Sequence, residues 1–393
     1  MLRLFYKLSV FFSRNLFLLV CCCLPLALGA QSPNATTADA LLDKGAYREA
    51  LDAYKTLLKK KTTPQLKYKY AYCCYKLGMT EEAIHYFQIS DSKQTKRYYY
   101  LAELYVDDYQ FNAAIEAYHK YLESLTETNP ERLEIQDKIR RSRTALELLS
   151  RVEDISIIDS ISVDKHDFLS YYHLSSDLGN FERDSISVRS QAVDRIFYMT
   201  QRRDRLYFSN ENKGNLDLFH SYKLLNGWSE ALPLSEQINS EANENYPFLM
   251  PDGITIYFAS DGKNSIGGYD IFVSRYIPSE NRYFPPENVG MPFNSPYDDY
   301  MLVIDEVNKV GWFASERNRK NNQVTIYLFV LNDAKKILNS VDSTRIRDAA
   351  KIKNFRLASE LSPFAFRAKI KSSPDEGKGE QLSSEKQEPE NSN

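Results

Sequence analysis

The sequence predicts a multidomain chain of α plus all-β class, with helical repeats first and short antiparallel strands after them. Three observations predict it. Alanines at helical repeat positions recur 33 and 31 residues apart, each with an aromatic four residues on. Aromatic, β-prone runs recur at intervals of 50 and 55 residues in the second half. Turn signals such as Pro251-Asp252-Gly253 punctuate those runs. The length of 393 residues allows two or three domains. An apolar fraction of 43% with 13% aromatics excludes a mostly disordered chain, and a formal charge of −3 gives no case for a nucleic-acid partner. With 28 Tyr and 21 Phe against 14 Gly, aromatic packing is favoured over a Gly-rich nucleotide-binding fold.

The first element is a targeting segment. Arg3, Lys7 and Arg14 precede an apolar stretch, Leu16 to Leu28, and small residues follow at Ala27, Gly29 and Ala30. Residues 1–30 therefore read as a signal peptide cleaved near Ala30 and Gln31, which predicts an exported protein. The stretch is shorter than the ~20 residues a spanning helix needs, so a retained anchor is the weaker reading. Cys21, Cys22 and Cys23 offer an alternative in which the mature chain starts at a lipidated cysteine. Against it, Val20 stands before Cys21, where such signals usually carry a small residue. After cleavage only Cys73 and Cys74 remain. Neighbours on a helix point apart, so they are expected as small buried side chains rather than a disulfide.

Helical repeats come next. Gly45-Ala-Tyr47-Arg-Glu-Ala50, Gly78-Met-Thr80-Glu-Glu-Ala83 and Tyr109-Gln-Phe111-Asn-Ala-Ala114 align, followed by Tyr54, Phe87 and Tyr118. A small residue and an aromatic at i and i+4 share one helix face, so one admits a neighbouring helix and the other fills the space beside it. Ala71 and Ala102 hold the small position of the preceding helices. These motifs resemble the tetratricopeptide repeat family, whose solenoids present a concave surface to proteins or peptides. The one departure is Tyr109, where that family carries glycine. A helix over 131–151, with Leu133, Ile139, Leu146 and Leu149 on one side, is expected to cap the stack, giving a module over 36–151. Within a cluster that also holds Tyr70, Tyr98 and Tyr100, the candidate partner-binding surface is Tyr68, Tyr72, Tyr75 and Tyr99. The competing reading is that these tyrosines only pack helices together. Lys59-Lys60-Lys61 reads as a solvated helix end.

From Ile155 the chain turns to strands. Arg205–Ser209, Thr255–Ser260 and Val310–Ser315 are each followed by a loop and a second strand, at Asp217–Phe219, Asp270–Ser274 and Thr325–Phe329. The best-formed unit, Tyr246 to Arg275, includes Ser260-Asp261-Gly262 and Gly267-Gly268-Tyr-Asp-Ile-Phe-Val-Ser-Arg275. It resembles the WD40-like (PD40) repeat of TolB-type β-propellers, and its wording is similar to that of exported Bacteroidota proteins that join tetratricopeptide repeats to such a propeller, which implies a place in the periplasm or at the outer membrane. Residues 152–340 have room for about four blades in a closed or nearly closed ring, with 155–200 as the least legible one. Some relatives serve secretion and gliding and carry an OmpA-like peptidoglycan-binding domain. None is expected here, since 341–393 reads as a helical, then disordered, charged tail.

Catalytic signatures do not surface. No His pair has HExxH spacing, and no GxSxG, SxxK, P-loop or GxGxxG occurs. Asp261, Asn264 and Asp270 fit no calcium loop and are expected to cap backbone. Trp312, in a strand run, is expected in the core. The expectation is a non-catalytic envelope scaffold or adaptor that needs no cofactor or metal. It would bind envelope proteins through its repeat surfaces and meet the membrane through partners or an N-terminal lipid. The alternatives are a glycan- or peptidoglycan-binding sensor and a propeller-based hydrolase.

Overall fold

A computed structural model describes residues 34–91, 93–172, 174–188, 191–318 and 322–353. The expected signal peptide at 1–30, its expected cleavage or lipidation, and the tail beyond 353 lie outside the described residues. None of the described helices is long and apolar enough to cross a membrane.

Among the described residues seven helices come first: α1 Ala35–Asp43, α2 Tyr47–Lys60, α3 Pro64–Lys76, α4 Thr80–Gln88, α5 Lys96–Asp107, α6 Phe111–Ser124 and α7 Glu131–Leu149. Local chemistry sets their ends. The Asn34 side chain accepts from the Thr37 N–H at 2.8 Å, and Thr63 accepts from Leu66 N–H with Pro64 in the first turn. Gly45 (φ 74°) and Gly78 (φ 71°) take left-handed turns, and Tyr109 adopts the same conformation at φ 57°. Ala50, Ala83 and Ala114 are fully buried, as are Tyr54, Phe87 and Tyr118. The chain divides into two compact units that meet at Leu104 and Tyr105, inside α5.

In the first unit, Tyr54 on α2 donates to Asp39 on α1 at 2.5 Å, and Lys69 on α3 pairs with the same carboxylate at 2.6 Å. Burial works against the charged form of Asp39, but the hydrogen bonds from Lys69 and Tyr54 outweigh it and hold its carboxyl below the usual range.

Among its described residues the second unit carries α6, α7, fifteen strands and α8 (Ser343–Ala350). The strands make three antiparallel sheets among the described residues. In the first, β2 (Asn180–Val188), β3 (Gln191–Met199), β4 (Arg205–Asn212) and β5 (Asn215–Leu224) run in order, with β6 (Gly227–Trp228) and β7 (Leu232–Pro233) beside β5. The second comprises β8 (Glu244–Leu249), β9 (Thr255–Ser260) and β10 (Asp270–Ile277), with β11 (Arg282–Tyr283) and β12 (Glu287–Asn288) on β10. The third is β13 (Asp299–Asp305), β14 (Val310–Ser315) and β15 (Gln323–Val330), completed by β1 (Ser156–Asp164) on the edge of β15. About four blades were expected, the least legible of them in 155–200; that segment supplies β1 to the last sheet and β2 and β3 to the first. The outer edge of β15 offers a ladder that the Ser156–Asp164 run satisfies.

The sheets repeat one device. Phe208 faces Phe219, Phe258 faces Phe272 and Phe313 faces Tyr327 across neighbouring strands, with ring planes 16°, 26° and 21° apart. After each of the first two sheets an asparagine side chain bridges a strand backbone. Asn239 bonds Leu218 N–H and C=O, and Asn294 bonds Ile271 N–H and C=O. One core spans all three sheets, including Tyr198, Leu218, Phe248, Ile256, Tyr300 and Trp312, and the turns between β1 and β2 add Phe168, Tyr172 and Leu178.

On α7 the buried stripe is Ile135, Ile139, Ser142, Ala145 and Leu148. Leu133 is 77% exposed, which corrects its expected place beside Ile139. It sits two residues before Ile135, and 200° of helical rotation carries it off the buried face. Ala145, Leu148 and Val152 pack with Ile266 and Met291, in loops beside the sheets, and with Ala350 of α8. Arg141 donates to the Gly267 carbonyl, Tyr297 donates to Asp107 at 2.5 Å, and Lys351 meets Asp108 at 2.5 Å.

Candidate partner-binding surface

α3 places Tyr68, Tyr72 and Tyr75 at i, i+4 and i+7, on one face. All three are half-buried, as is Tyr99 on α5. Tyr72 lies 6.4 Å from Tyr75, ring centre to ring centre, and both approach Tyr100 of α5, at 5.2 and 5.0 Å. Tyr99 meets Tyr100 edge-on at 5.6 Å. Tyr68 joins through Phe87, 5.7 Å away, which stacks on Tyr100 at 5.6 Å. Tyr47 adds an edge contact to Tyr72 at 6.3 Å. The four expected residues therefore form one aromatic patch whose hub is Tyr100. The sequence placed Tyr100 in the wider cluster but not among the four. Its i+1 relation to Tyr99 conceals it, because adjacent helical residues face different ways.

Cations border the patch. Lys76 Nζ lies 5.5 Å from the Tyr72 ring centre and 5.7 Å from that of Tyr75, and Lys96 Nζ lies 5.9 Å from Tyr99. Both lysines are exposed. Burial, with Tyr72 nearby, pushes the Tyr68 phenol up to about 12. Burial and the surrounding phenols raise Tyr100 further. The Tyr68 and Tyr100 hydroxyls therefore stay neutral near pH 7 and can both donate and accept, while the rings of the patch offer apolar faces.

Not every tyrosine of the cluster belongs to this surface. Tyr70 is buried, and its hydroxyl donates to Glu82 at 2.5 Å between α3 and α4. Tyr98 carries the Arg97 guanidinium 4.7 Å from its ring. Tyr70 thus packs α3 against α4. Cys73 and Cys74 are buried free thiols, both pushed up to about 12 by burial, which leaves them unreactive.

The loop carboxylates bond protein groups. Asp261 accepts from Asn243 N–H at 2.8 Å and Asn243 Nδ2 at 2.7 Å. Asp270 accepts from Ile266 N–H, Gly267 N–H and Asn288 Nδ2. Among the described residues no group of three His, Cys, Asp or Glu side chains is placed to hold a metal.

No family model matches the chain, and no curated protein matches it either.

Proposed function

We propose that this protein is a non-catalytic scaffold or adaptor of the cell envelope, and that the Tyr68–Tyr72–Tyr75–Tyr99 patch is where a protein partner docks. The observation that carries this reading is a row of half-exposed aromatic rings on one helix face, edged by two lysines. Tyrosine supplies large contact area at low entropic cost, and its hydroxyl suits peptide backbone and carboxylates. The charged leader and the apolar run behind it support export.

The same reading takes the helices as tetratricopeptide-like repeats and the three sheets as blades of a small propeller. Two features support it: the shared left-handed turn at Gly45, Gly78 and Tyr109, and the pairing of the first β strand with the last. The test is affinity capture of the tagged full chain from its native envelope, beside a Tyr72→Ala/Tyr75→Ala variant of unchanged circular dichroism. Partner proteins should be retained by the native chain and fall about tenfold with the variant, the loss of one or two aromatic anchors. Equal retention by the variant, or capture of muropeptides and no protein, overturns the reading.

A further inference from the structure

The second and third sheets contain the same loop, built twice. Ser240 donates through its N–H and its Oγ to Glu244, at 3.0 and 2.7 Å, and Ser295 donates in the same way to Asp299, at 2.6 Å each. Glu244 faces Ser260 across its strand pair, and Asp299 faces Ser315. Gly262 N–H donates to Ser260 Oγ at 3.2 Å, and Arg317 N–H donates to Ser315 Oγ at 3.3 Å. Position for position, Gly262 corresponds to Arg317, Glu244 to Asp299, and the Phe258/Phe272 pair to Phe313/Tyr327.

In the third sheet an arginine fills the space between these groups. Arg317 Nη2 lies 2.9 Å from Asp299 Oδ1 and 2.8 Å from the Phe293 carbonyl, while Nε lies 2.7 Å from Ser315 Oγ. Its guanidinium carbon is 5.5 Å from the Phe313 ring centre and 5.4 Å from that of Tyr327. The ion pair is almost wholly buried, at 4% and 0% exposure.

In the second sheet glycine stands where that arginine would, and a cavity of about 170 Å³ opens there, lined by Ser240, Glu244, Phe258, Ser260, Gly262 and Phe272 among others. Its acid is 1% exposed and, among the described residues, has no cationic partner; its donors are the neutral groups of Ser240 and Ser260. A buried carboxylate without a counter-charge is costly. Lys263, exposed on the rim, is the cation that borders the cavity.

We propose that this cavity is a guanidinium site, taking the arginine side chain of a partner protein in the place that Arg317 fills in the neighbouring sheet. Glu244 supplies the charge, and Phe258 and Phe272 supply ring faces. Gly262 puts no side chain into the cavity, and a Cβ there would come within 3.1 Å of Ser260 Oγ and 3.3 Å of Ala242 Cβ.

The test titrates the full chain with N-acetylarginine methylamide and with its neutral isostere N-acetylcitrulline methylamide, followed by calorimetry or ligand-observed NMR. The arginine probe should bind saturably and the citrulline probe about tenfold or more weakly, the worth of one charge-assisted pairing. Gly262→Arg should abolish binding by filling the site from within, and Glu244→Gln should weaken it about tenfold. Tyr72→Ala/Tyr75→Ala should leave it unchanged, which separates this site from the tyrosine patch. Equal binding of the two probes, no saturable binding, or full binding by Gly262→Arg overturns the proposal. The probe comparison needs only the native chain, so a misfolded variant does not decide the result.

Discussion

Asp270 is wholly buried at the start of β10, where its carboxyl accepts two backbone N–H groups and Asn288 Nδ2. Those donors favour the charged form, but burial, with Asp299 nearby, wins and raises the carboxyl to about 8. The folded pKa lies above the unfolded one, so across the interval from 3.8 to about 8 the folded state binds a proton the unfolded chain does not hold. Through this group stability is fully present below that interval and falls as pH rises through it. Asp270→Asn should therefore flatten the dependence of the urea midpoint on pH between about 5 and 8, relative to the native chain. An unchanged slope would mean that Asp270 is ionised throughout. Gly267, three residues earlier, was visible in the sequence only as a turn signal. The tertiary structure shows its further demand, because a Cβ there would meet the Ser295 and Tyr297 carbonyls at 2.6 and 2.3 Å.

The turn ahead of α6 repeats the geometry of those ahead of α2 and α4, yet a tyrosine rather than a glycine makes it. Tyr109 holds φ 57° while its ring is only 3% exposed, against Phe111 and Ala145. Left-handed backbone costs an L-residue about 1–2 kcal/mol, whereas losing a buried aromatic costs about 3–5 kcal/mol. Tyr109→Gly should therefore destabilise by roughly 2 kcal/mol in denaturant unfolding, although it restores the residue the repeat leads one to expect. A neutral or stabilising effect would show that backbone strain outweighs the ring. At this scale the sequence was informative wherever periodicity or turn chemistry acts locally. The alanine–aromatic pairs, the Pro251-Asp252-Gly253 turn with Gly253 at φ 74°, and the strands around Phe208, Phe258 and Phe313 stand where the spacing put them. It was uninformative for β1, whose partner β15 lies more than 150 residues away, and for Leu133, whose phase depends on which face α7 buries.

In the second unit, helices and the loops beside the sheets share one apolar cluster, with Ala145, Leu148 and Val152 against Ile266, Met291 and Ala350. Removing α6 and α7 would expose it, along with the carbonyls of Gly267 and Asp261 that Arg141 now satisfies. A fragment starting at Tyr105 should unfold in one cooperative transition. One starting at Val152 should melt lower and bind a hydrophobic dye, and equal melting of the two would show that the helices add nothing to the sheets. Three of the candidate tyrosines, Tyr68, Tyr72 and Tyr75, share a face of α3 by local spacing that needs no long-range information, whereas Tyr99 stands on α5. Their convergence on Tyr100 was not legible, since it needs α3 and α5 side by side. By itself the sequence determined the order of helices then strands, most turns, and the repeated units, because each follows from interactions within a few residues. The tertiary structure alone decided the number of sheets, the Arg317–Asp299 pair and the glycine-lined cavity that mirrors it. Those depend on which distant strands meet, and burial gives a side chain its chemistry only once they have met.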